Sequence, residues 1–310
     1  MKQNHLKIKP LVFLISTLFI IVCVPQSSMA KKRERIKVLI VTGQNNHYWK
    51  NSTPIFREIL EHAGIFSVDV STSPEKGKDM SAFNPKFSSY DVVVLDYNGD
   101  SWNAQAKTEF ENFVRYGGGV VVIHAADNAF PEWKEYNKII GLGGWEGRDE
   151  KSGPYVYWKN DKAFYDYSPG SAGSHGIQWE YLVQNRSPKH PIMRGVPMVW
   201  LHAQDELYDR LRGPAKNMEI LATAYSDKNT NGSGREEPIL FTVKYGKGRI
   251  FHTVMGHVDQ ETVTSLQCAG FVYTLQRGTE WAATGKVKQA VPAKWPTKTE
   301  TLMLKQYNIH

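Results

Sequence analysis

Cysteine is scarce in this 310-residue chain, which contains only Cys23 and Cys268. Cys23 lies in an apolar run near the N-terminus, so loss of that run would leave Cys268 alone and exclude an intramolecular disulfide. The hydrophobic core must then supply the stability of the fold. We interpret Cys268, in a predicted helix, as a small apolar core residue, which argues against thiol catalysis.

A strong charge imbalance is also lacking. The formal charge is +7, and residues 1–30 contribute three lysines and no acid, so the rest of the chain carries +4. The sequence contains no basic stripe, recognition helix or RNA-binding signature, so we do not expect nucleic acid as a partner. Internal repeats, low-complexity segments and the local metal motifs HExxH and CxxC are absent from it as well.

The run from Leu11 to Val24 is the one apolar stretch typical of a targeting segment. Lysines precede it, and Ser28-Met29-Ala30 follows it as a small-residue cleavage site, so residues 1–30 are predicted to be a signal peptide. The run is short for a membrane span. We therefore expect a periplasmic or secreted protein with no stable span after cleavage; retention of the segment as an anchor is the alternative.

Apolar strands alternate with amphipathic helices through the first half of the remaining chain. This order predicts an α/β fold with a doubly wound, mostly parallel sheet. The predicted strands are 36–41, 66–70, 91–95, 120–123, 218–224, 238–243 and 249–254, and the predicted helices begin near Ser52, Ala104 and Thr262, the last ending at Leu275. Residues 31–278 are expected to form one domain, and 279–310 a tail. Within the domain, Phe130 to Gly195 is predicted to be a loop-rich insertion over the site, with strand-like pieces at 155–158 and 177–183.

Two of the predicted buried strands end at a histidine. The run Val120 to Ile123 stops at His124, and the strand Arg249 to Val254 leads through Met255-Gly256 to His257. Ligands of open α/β sheets bind beyond the carboxyl ends of the strands, so both imidazoles are expected in one crevice as catalytic or ligand groups. The alternative for His124 and for His257 is a purely packing role. For His252, which lies inside a predicted strand, the packing role is the favoured interpretation.

The segment His202-Ala203-Gln204-Asp205-Glu206 is a second concentration of polar groups. In an extended chain Asp205 and Glu206 point to opposite faces, so at most one is expected to face the site. Asp205 is the residue we expect to orient a catalytic histidine. A metal-free acid/base site built from His124, Asp205 and His257 and a divalent-metal site remain alternatives.

A strand that runs into a tight turn and helix resembles a nucleophile elbow. His124 stands where that motif needs Ser or Cys, and Ala125-Ala126 follow it instead of a closing glycine, so covalent catalysis is not expected.

Six segments together resemble the trehalose-utilisation, ThuA-like family. They span about Lys37 to His257 and read KVLIVTGQNNHYW, GGGVVVIHAADNAFPEW, HPIMRG, HAQDELY, ILATAYS and PILFTVKYGKGRIFHTVMGH. The resemblance implies a flavodoxin-like sheet of the class I glutamine amidotransferase type without the amidotransferase cysteine, and hence not a glutamine amidotransferase. It also implies a role in the catabolism of disaccharides or their 3-keto derivatives.

The chain departs from the family pattern at Gly143-Gly144-Trp145-Glu146-Gly147-Arg148. Many relatives resemble GGxFxxH there, whereas this chain has Arg148 at the histidine position. We expect His175, in the loop Gly173-Ser174-His175-Gly176, to supply the imidazole that Arg148 does not. The departure at Arg148 argues against carrying a metal site of the relatives over to this chain.

The sequence therefore predicts a sugar-active hydrolase, lyase or isomerase; a protein that binds carbohydrate without altering it is the alternative. The catalytic set is His124, His257 and Asp205. The predicted substrate contacts are Trp49, Asp127, Trp145, Arg148, His175, His202, Glu206 and Tyr208. The expected partner is a small carbohydrate, and the sequence leaves open a homo-oligomer and a divalent metal.

Overall fold

Strands of buried β-branched residues form the centre of the protein. The computed structural model describes Met1 and residues 34–309. The strands are β1 (Ile36–Thr42), β2 (Phe66–Thr72), β3 (Val92–Leu95), β4 (Gly119–Ile123), β5 (Tyr155–Lys159), β6 (Lys162–Asp166), β7 (Ser174–His175), β8 (Trp179–Asn185), β9 (Val199–Asp205), β10 (Tyr208–Asp209), β11 (Met218–Tyr225), β12 (Glu236–Tyr245) and β13 (Gly248–Thr253). The α-helices are α1 (Trp49–His62), α2 (Ala104–Arg115), α3 (Lys134–Ile140), α4 (Thr264–Gln267) and α5 (Ala269–Thr284).

The main sheet has the strand order β2-β1-β3-β4-β13-β12-β11-β8-β9, with the β5-β6 hairpin attached to β12. From β2 to β13 all neighbouring pairs are parallel. From β13 onward the pairs are antiparallel, beginning with the β12-β13 hairpin. The predicted α/β class is confirmed, and an antiparallel extension widens the parallel part of the sheet.

Helices cover both faces of the parallel part. On β13, Phe251 packs toward α5, where it meets Gly278, whereas the adjacent His252 contacts the Ile140 carbonyl at the end of α3. Because successive strand residues point to opposite faces, α5 and α3 lie on opposite sides of the sheet. Contacts between Phe56 of α1 and Phe271 of α5 place α1 beside α5. The doubly wound arrangement leaves the carboxyl ends of the parallel strands free for a site.

The segment Phe130 to Gly195 is more regular than the predicted loop-rich insertion. It contains α3 and β5 to β8, and β8 joins the main sheet between β11 and β9. The two-residue strand β7 pairs with β10 in a separate ladder. The predicted strand-like pieces 155–158 and 177–183 correspond to β5 and β8, but their membership of the main sheet was not predicted.

The last helix is longer than predicted. It continues to Thr284, so the predicted division at residue 278 falls inside α5. Beyond it the chain packs back on the domain: the Leu302 carbonyl accepts a hydrogen bond from Ala269 N, and Trp295 contacts the buried Trp200 edge-on.

The predicted signal peptide, residues 1–30, lies outside the described residues apart from Met1. Among the residues that are described, no helix is both long and apolar enough to cross a membrane.

The contact between α5 and β13 gives the first testable prediction. An ideal β-carbon at Gly278 would lie 2.1 Å from the Phe251 ring, which is fully buried. Gly278→Ala should therefore lower the free energy of unfolding by about 1–3 kcal/mol through overpacking, measured by urea denaturation. If α5 could move away from Phe251, the free energy of unfolding would instead rise by up to about 1 kcal/mol, because Ala has a higher helix propensity than Gly. The second change Phe251→Leu should recover part of the loss.

Candidate functional site

Three imidazoles and one carboxylate meet beyond the carboxyl ends of the strands. His47 follows β1, His124 follows β4 directly, Glu206 follows β9 and His257 follows β13. One potential ligand atom from each side chain lies within 4.8 Å of all the others. We refer to these four residues as the His/Glu cluster, and it could hold a metal ion.

His124 occupies a strained backbone position. Its φ of 46° lies in the left-handed region, which a residue other than glycine adopts at a cost of about 1–3 kcal/mol. The turn swings the side chain out of the sheet at the end of β4, as an elbow does for a nucleophile. Strain of this kind is typical of functional sites.

The hydrogen bonds of His124 fix its tautomer. Nδ1 lies 2.6 Å from the Val254 carbonyl oxygen, which can only accept, so Nδ1 carries the proton. Nε2 is buried, lacks a hydrogen-bond partner among the described residues and lies 3.6 Å from Glu206 Oε2. In metal sites, a backbone carbonyl commonly accepts a hydrogen bond from the ring nitrogen that does not bind the metal, and this bond orients the imidazole.

Glu206 lies at the centre of the cluster. Its Oε2 is 3.1 Å from His257 Nδ1, 3.6 Å from His124 Nε2 and 3.8 Å from His47 Nε2. A tetrahedral metal with ligand bonds of about 2.0–2.2 Å separates its ligand atoms by about 3.4 Å. The distances from the carboxylate to the three imidazoles are therefore close to those of a tetrahedral site.

The charges in the cluster favour a cation. Burial alone would raise the pKa of Glu206, but the neighbouring imidazoles of His124 and His257 hold this pKa well below its usual value. Burial would lower the pKa of His124, yet Glu206, Asp205 and the Val254 carbonyl raise it. A carboxylate that stabilises a proton on the neighbouring imidazole would equally stabilise a metal cation.

His47 and Tyr208 close one side of the cluster. Burial and the neighbouring His124 and His257 lower the pKa of His47 to about 3, so His47 is in the neutral form that binds metals. The Tyr208 hydroxyl lies 2.8 Å from His47 Nε2, and its ring stacks on His124 at a centroid distance of 4.0 Å. Burial raises the pKa of Tyr208 well above its usual value, which keeps the phenol protonated and able to donate.

Asp205 ties the end of β9 to the loop after β13. Its carboxylate accepts hydrogen bonds from the backbone amides of Glu206, Gly256 and His257 at 2.8–3.0 Å. It also accepts one from His202 Nε2 at 2.9 Å. Asp205 thus fixes the backbone that carries two members of the cluster, and it contacts the amide of His257 rather than the predicted imidazole.

His202 lies behind Asp205, and the structure places it away from the predicted substrate-binding position. Its side chain is fully buried. Burial would lower the pKa of His202, but Cys268 and Asp205 raise this pKa to about 10. Burial would raise the pKa of the Cys268 thiol, but His202 lowers it. His202 therefore supports Asp205 from the protein interior.

His175, Gln178 and Trp145 surround the cluster on the side of the β7-β10 ladder. His175 Nε2 lies 3.9 Å from Glu206 Oε1, and its side chain is 40% exposed. The Gln178 amide is 3.0 Å from His257 Nε2, so the opposite ring nitrogen, Nδ1, faces the cluster. Trp145 packs edge-on against Tyr208. These side chains form the mouth of the site.

Arg148 does not reach this mouth, in contrast to the prediction. Its guanidinium donates to the carbonyl oxygens of Asn128, Ala129 and Gly144 and to the side chain of Asn137. The side chain is buried and all three of its nitrogens are engaged. Arg148 holds the turn that carries Trp145 and is not positioned to bind a substrate oxygen.

Asp127 is likewise turned away from the mouth. It is fully buried, and its Oδ2 lies 3.4 Å from Nε2 of His252, a residue of β13. The predicted substrate contact of Asp127 is therefore replaced by a buried pair with His252.

Trp49, the first residue of α1, borders a cleft of about 530 Å³ beside His47. Asn46, Asn98 and Glu146 also line this cleft. Its amide and carboxylate groups next to an indole suit a hydroxyl-rich ligand. The structure thus places Trp49 at a cleft, and its role in substrate binding stays a prediction.

His47 is the member of the cluster that sequence reasoning missed. It follows β1 at a polar loop in the same way that His124 and His257 follow their strands. The rule that selected those two histidines would also have selected His47, but the neighbouring Trp49 was chosen as the functional residue of that loop.

Comparisons with known proteins agree with this architecture. The family model ThuA, described as trehalose utilisation, matches residues 37–282. A solved structure from Parabacteroides merdae, described as ThuA-like, is 56% identical with a TM-score of 0.86, covering 89% of this chain and 100% of that one. A ThuA-like structure from Bacteroides uniformis is 20% identical, with a TM-score of 0.53, and the match covers 83% of this chain and 94% of that one. At this identity the similarity supports the fold alone. No curated protein matches the chain. The chain therefore belongs to the ThuA family.

Proposed function

We propose that the protein is a metal-dependent enzyme that acts on a disaccharide or a 3-keto-glycoside as a hydrolase, lyase or isomerase. One observation carries the proposal: three imidazoles and a carboxylate, from four separate segments, converge with ligand atoms within 4.8 Å of one another. A packing role does not require such convergence at the ligand-binding edge of the sheet.

The donor set indicates the class of metal. Imidazole nitrogens with one carboxylate suit Zn²⁺ and other first-row transition metals, whereas Mg²⁺ and Ca²⁺ prefer oxygen ligands throughout. His47, His124, Glu206 and His257 would hold the ion. Because these four side chains would fill a tetrahedral set, a substrate oxygen or a water would enter as a fifth ligand, where the metal would polarise the oxygen or lower the pKa of the water.

The remaining groups at the mouth would act on the substrate directly. Tyr208 keeps its proton and presents its hydroxyl beside His47, so it can donate a hydrogen bond to a substrate oxygen. His175 is partly exposed near Glu206, and because its Nδ1 donates to the Gly176 carbonyl, its Nε2 can accept a hydrogen bond from a substrate hydroxyl. Trp145 and Trp49 offer apolar surfaces for a sugar ring.

The choice of a sugar rests on the family and on the cleft. The family model carries the description trehalose utilisation. The cleft beside His47 combines amides, carboxylates and the Trp49 indole. A sugar has matching hydroxyl edges and apolar ring faces.

We also propose that the protein is exported. The support comes from the sequence of residues 1–30, with its lysines, its apolar run and Ser28-Met29-Ala30. Detection of mature protein beginning at Lys31 in the periplasmic or extracellular fraction would test this.

The metal site predicts a defined stoichiometry. Titration with Zn²⁺, followed by calorimetry and elemental analysis, should give about one ion per chain. His124→Ala and Glu206→Gln should each weaken binding by at least about 100-fold, since each removes one ligand. His190→Ala is the matched control, because His190 packs on Trp281 away from the cluster. Equal Zn²⁺ affinity in all three variants would contradict the assignment.

Removal of the metal should destabilise the protein. A ligand that binds only the folded state stabilises it by about 4 kcal/mol at 1,000 times its dissociation constant. A chelator should therefore lower the melting temperature of the wild type and leave that of His124→Ala unchanged. A chelator effect of the same size in both proteins would show that the metal binds elsewhere.

Asp205 predicts an indirect effect on metal affinity. Asp205→Asn keeps the shape of the side chain but removes the charge and two acceptor positions, so the loop carrying His257 should loosen. Zn²⁺ affinity should fall about 10- to 100-fold, as for other supporting residues of metal sites. Asp161→Asn, in the exposed turn between β5 and β6, is the control. A folded Asp205→Asn protein, judged by circular dichroism, with wild-type affinity would refute the role.

Catalysis is tested with the metal-loaded enzyme and a 3-keto-disaccharide. We expect turnover, with kcat/KM at least about 100-fold lower in His124→Ala and His257→Ala. Substrate that binds with measurable affinity but is recovered intact after long incubation with metal would identify a carbohydrate-binding protein instead.

A further inference from the structure

A group of large apolar side chains is exposed on the antiparallel part of the sheet. Trp179 is 62% exposed, Tyr225 47% and Ile177 56%. All three border one cavity of about 290 Å³. We call it the Trp179 cavity. Apolar groups gathered around a concave surface mark a binding site more often than single exposed residues do.

The strand register explains how the floor of the Trp179 cavity is built. Val183 of β8 pairs with Ala224 of β11, and both are buried. The next residues along the two strands, Leu182 and Tyr225, therefore point to the opposite, outer face. Leu182 is adjacent to Tyr225 across the ladder, and the pair gives the floor an apolar surface.

Polar side chains stand at the edge of this floor. Glu180 and Gln184 project on the same face as Leu182, since they alternate with buried residues of β8. Asp227 and Thr230, from the loop after β11, complete the lining. The cavity thus joins aromatic and aliphatic surface to carboxylate, amide and hydroxyl groups.

The walls of the Trp179 cavity are held in place by backbone contacts. Ile177 N donates to the Thr230 carbonyl at 2.9 Å, and Gly176 approaches that carbonyl so closely that a β-carbon would lie 2.2 Å from it. Asp227 Oδ1 accepts from Asn229 N and caps the short turn that bears Thr230. The cavity is therefore preformed, which reduces the ordering cost of binding.

A single backbone segment separates this cavity from the His/Glu cluster. Ile177 and Trp179 line the cavity, whereas Gln178 between them contacts His257 in the cluster. Likewise Asp205 borders the cavity and the next residue, Glu206, belongs to the cluster. A ligand in the cavity would lie beside the proposed catalytic site.

We propose that the Trp179 cavity is a second saccharide-binding site, which takes one or two rings of a neutral oligosaccharide. A pyranose ring has an apolar face that packs on indole and phenol rings, and hydroxyl groups at its edge that pair with carboxylates and amides. The volume is at the lower end of the range for small-ligand pockets, which fits a sugar ring. The sugar class rests on the proposed function; the location and the chemistry of the cavity do not.

Binding of maltotetraose and of cellotetraose to the full chain, measured by calorimetry and Trp fluorescence, tests the proposal. We expect saturable binding of at least one of the two, weakened roughly tenfold by Trp179→Ala and by Tyr225→Ala. Tyr167→Ala is the matched control, because Tyr167 is 72% exposed and lies outside the cavity lining. His124→Ala should lose Zn²⁺ binding but keep the tetrasaccharide affinity, so failure of the metal site and failure of this site are distinguishable.

Two results would overturn the proposal. One is the absence of tetrasaccharide binding to the wild type, or equal binding by Trp179→Ala, Tyr225→Ala and Tyr167→Ala. The other is concentration-dependent self-association of the wild type in sedimentation that Trp179→Ala abolishes, since the exposed residues would then be an interface between two copies of the chain.

Discussion

A buried carboxylate surrounded by three imidazoles is the interaction on which the site depends. Glu206 is removed from solvent, and burial of an unpaired anion costs several kcal/mol. The imidazole of His124 supplies a compensating positive charge, or the four side chains hold a cation between them. The four side chains come from distant parts of the chain, so the fold has to bring them together before any of them is satisfied.

The sheet performs this task by ending several strands at one edge. The parallel strands β1, β4 and β13 deliver the histidines, and the antiparallel extension brings Glu206 from β9 to the same place. Asp205 then fixes the β9 end to the loop after β13 through backbone hydrogen bonds. At the strained turn after β4 the fold presents an imidazole where a nucleophile elbow presents Ser or Cys. The architecture is thus compatible with ligand or acid/base chemistry rather than covalent catalysis.

The fold class was predictable because apolar runs and helical periodicity are local signals. His124 and His257 were predictable as site residues from the same signals, because the sequence shows a buried strand that ends at a titratable residue. His47 carries that signal too. The choice between Asp205 and Glu206 was not predictable: alternation shows that the two face opposite ways but does not show which one faces the site. Arg148 was misassigned because the turn carbonyls that occupy its guanidinium become neighbours only after folding.

The most direct measurement is an anomalous diffraction map from a crystal of the protein grown with Zn²⁺, collected above the zinc absorption edge. The account predicts one strong peak bounded by His47 Nε2, His124 Nε2, His257 Nδ1 and a Glu206 oxygen, at about 2.0–2.2 Å from each. A peak at other residues, or a map without a peak at these four in a protein saturated with zinc, would contradict it.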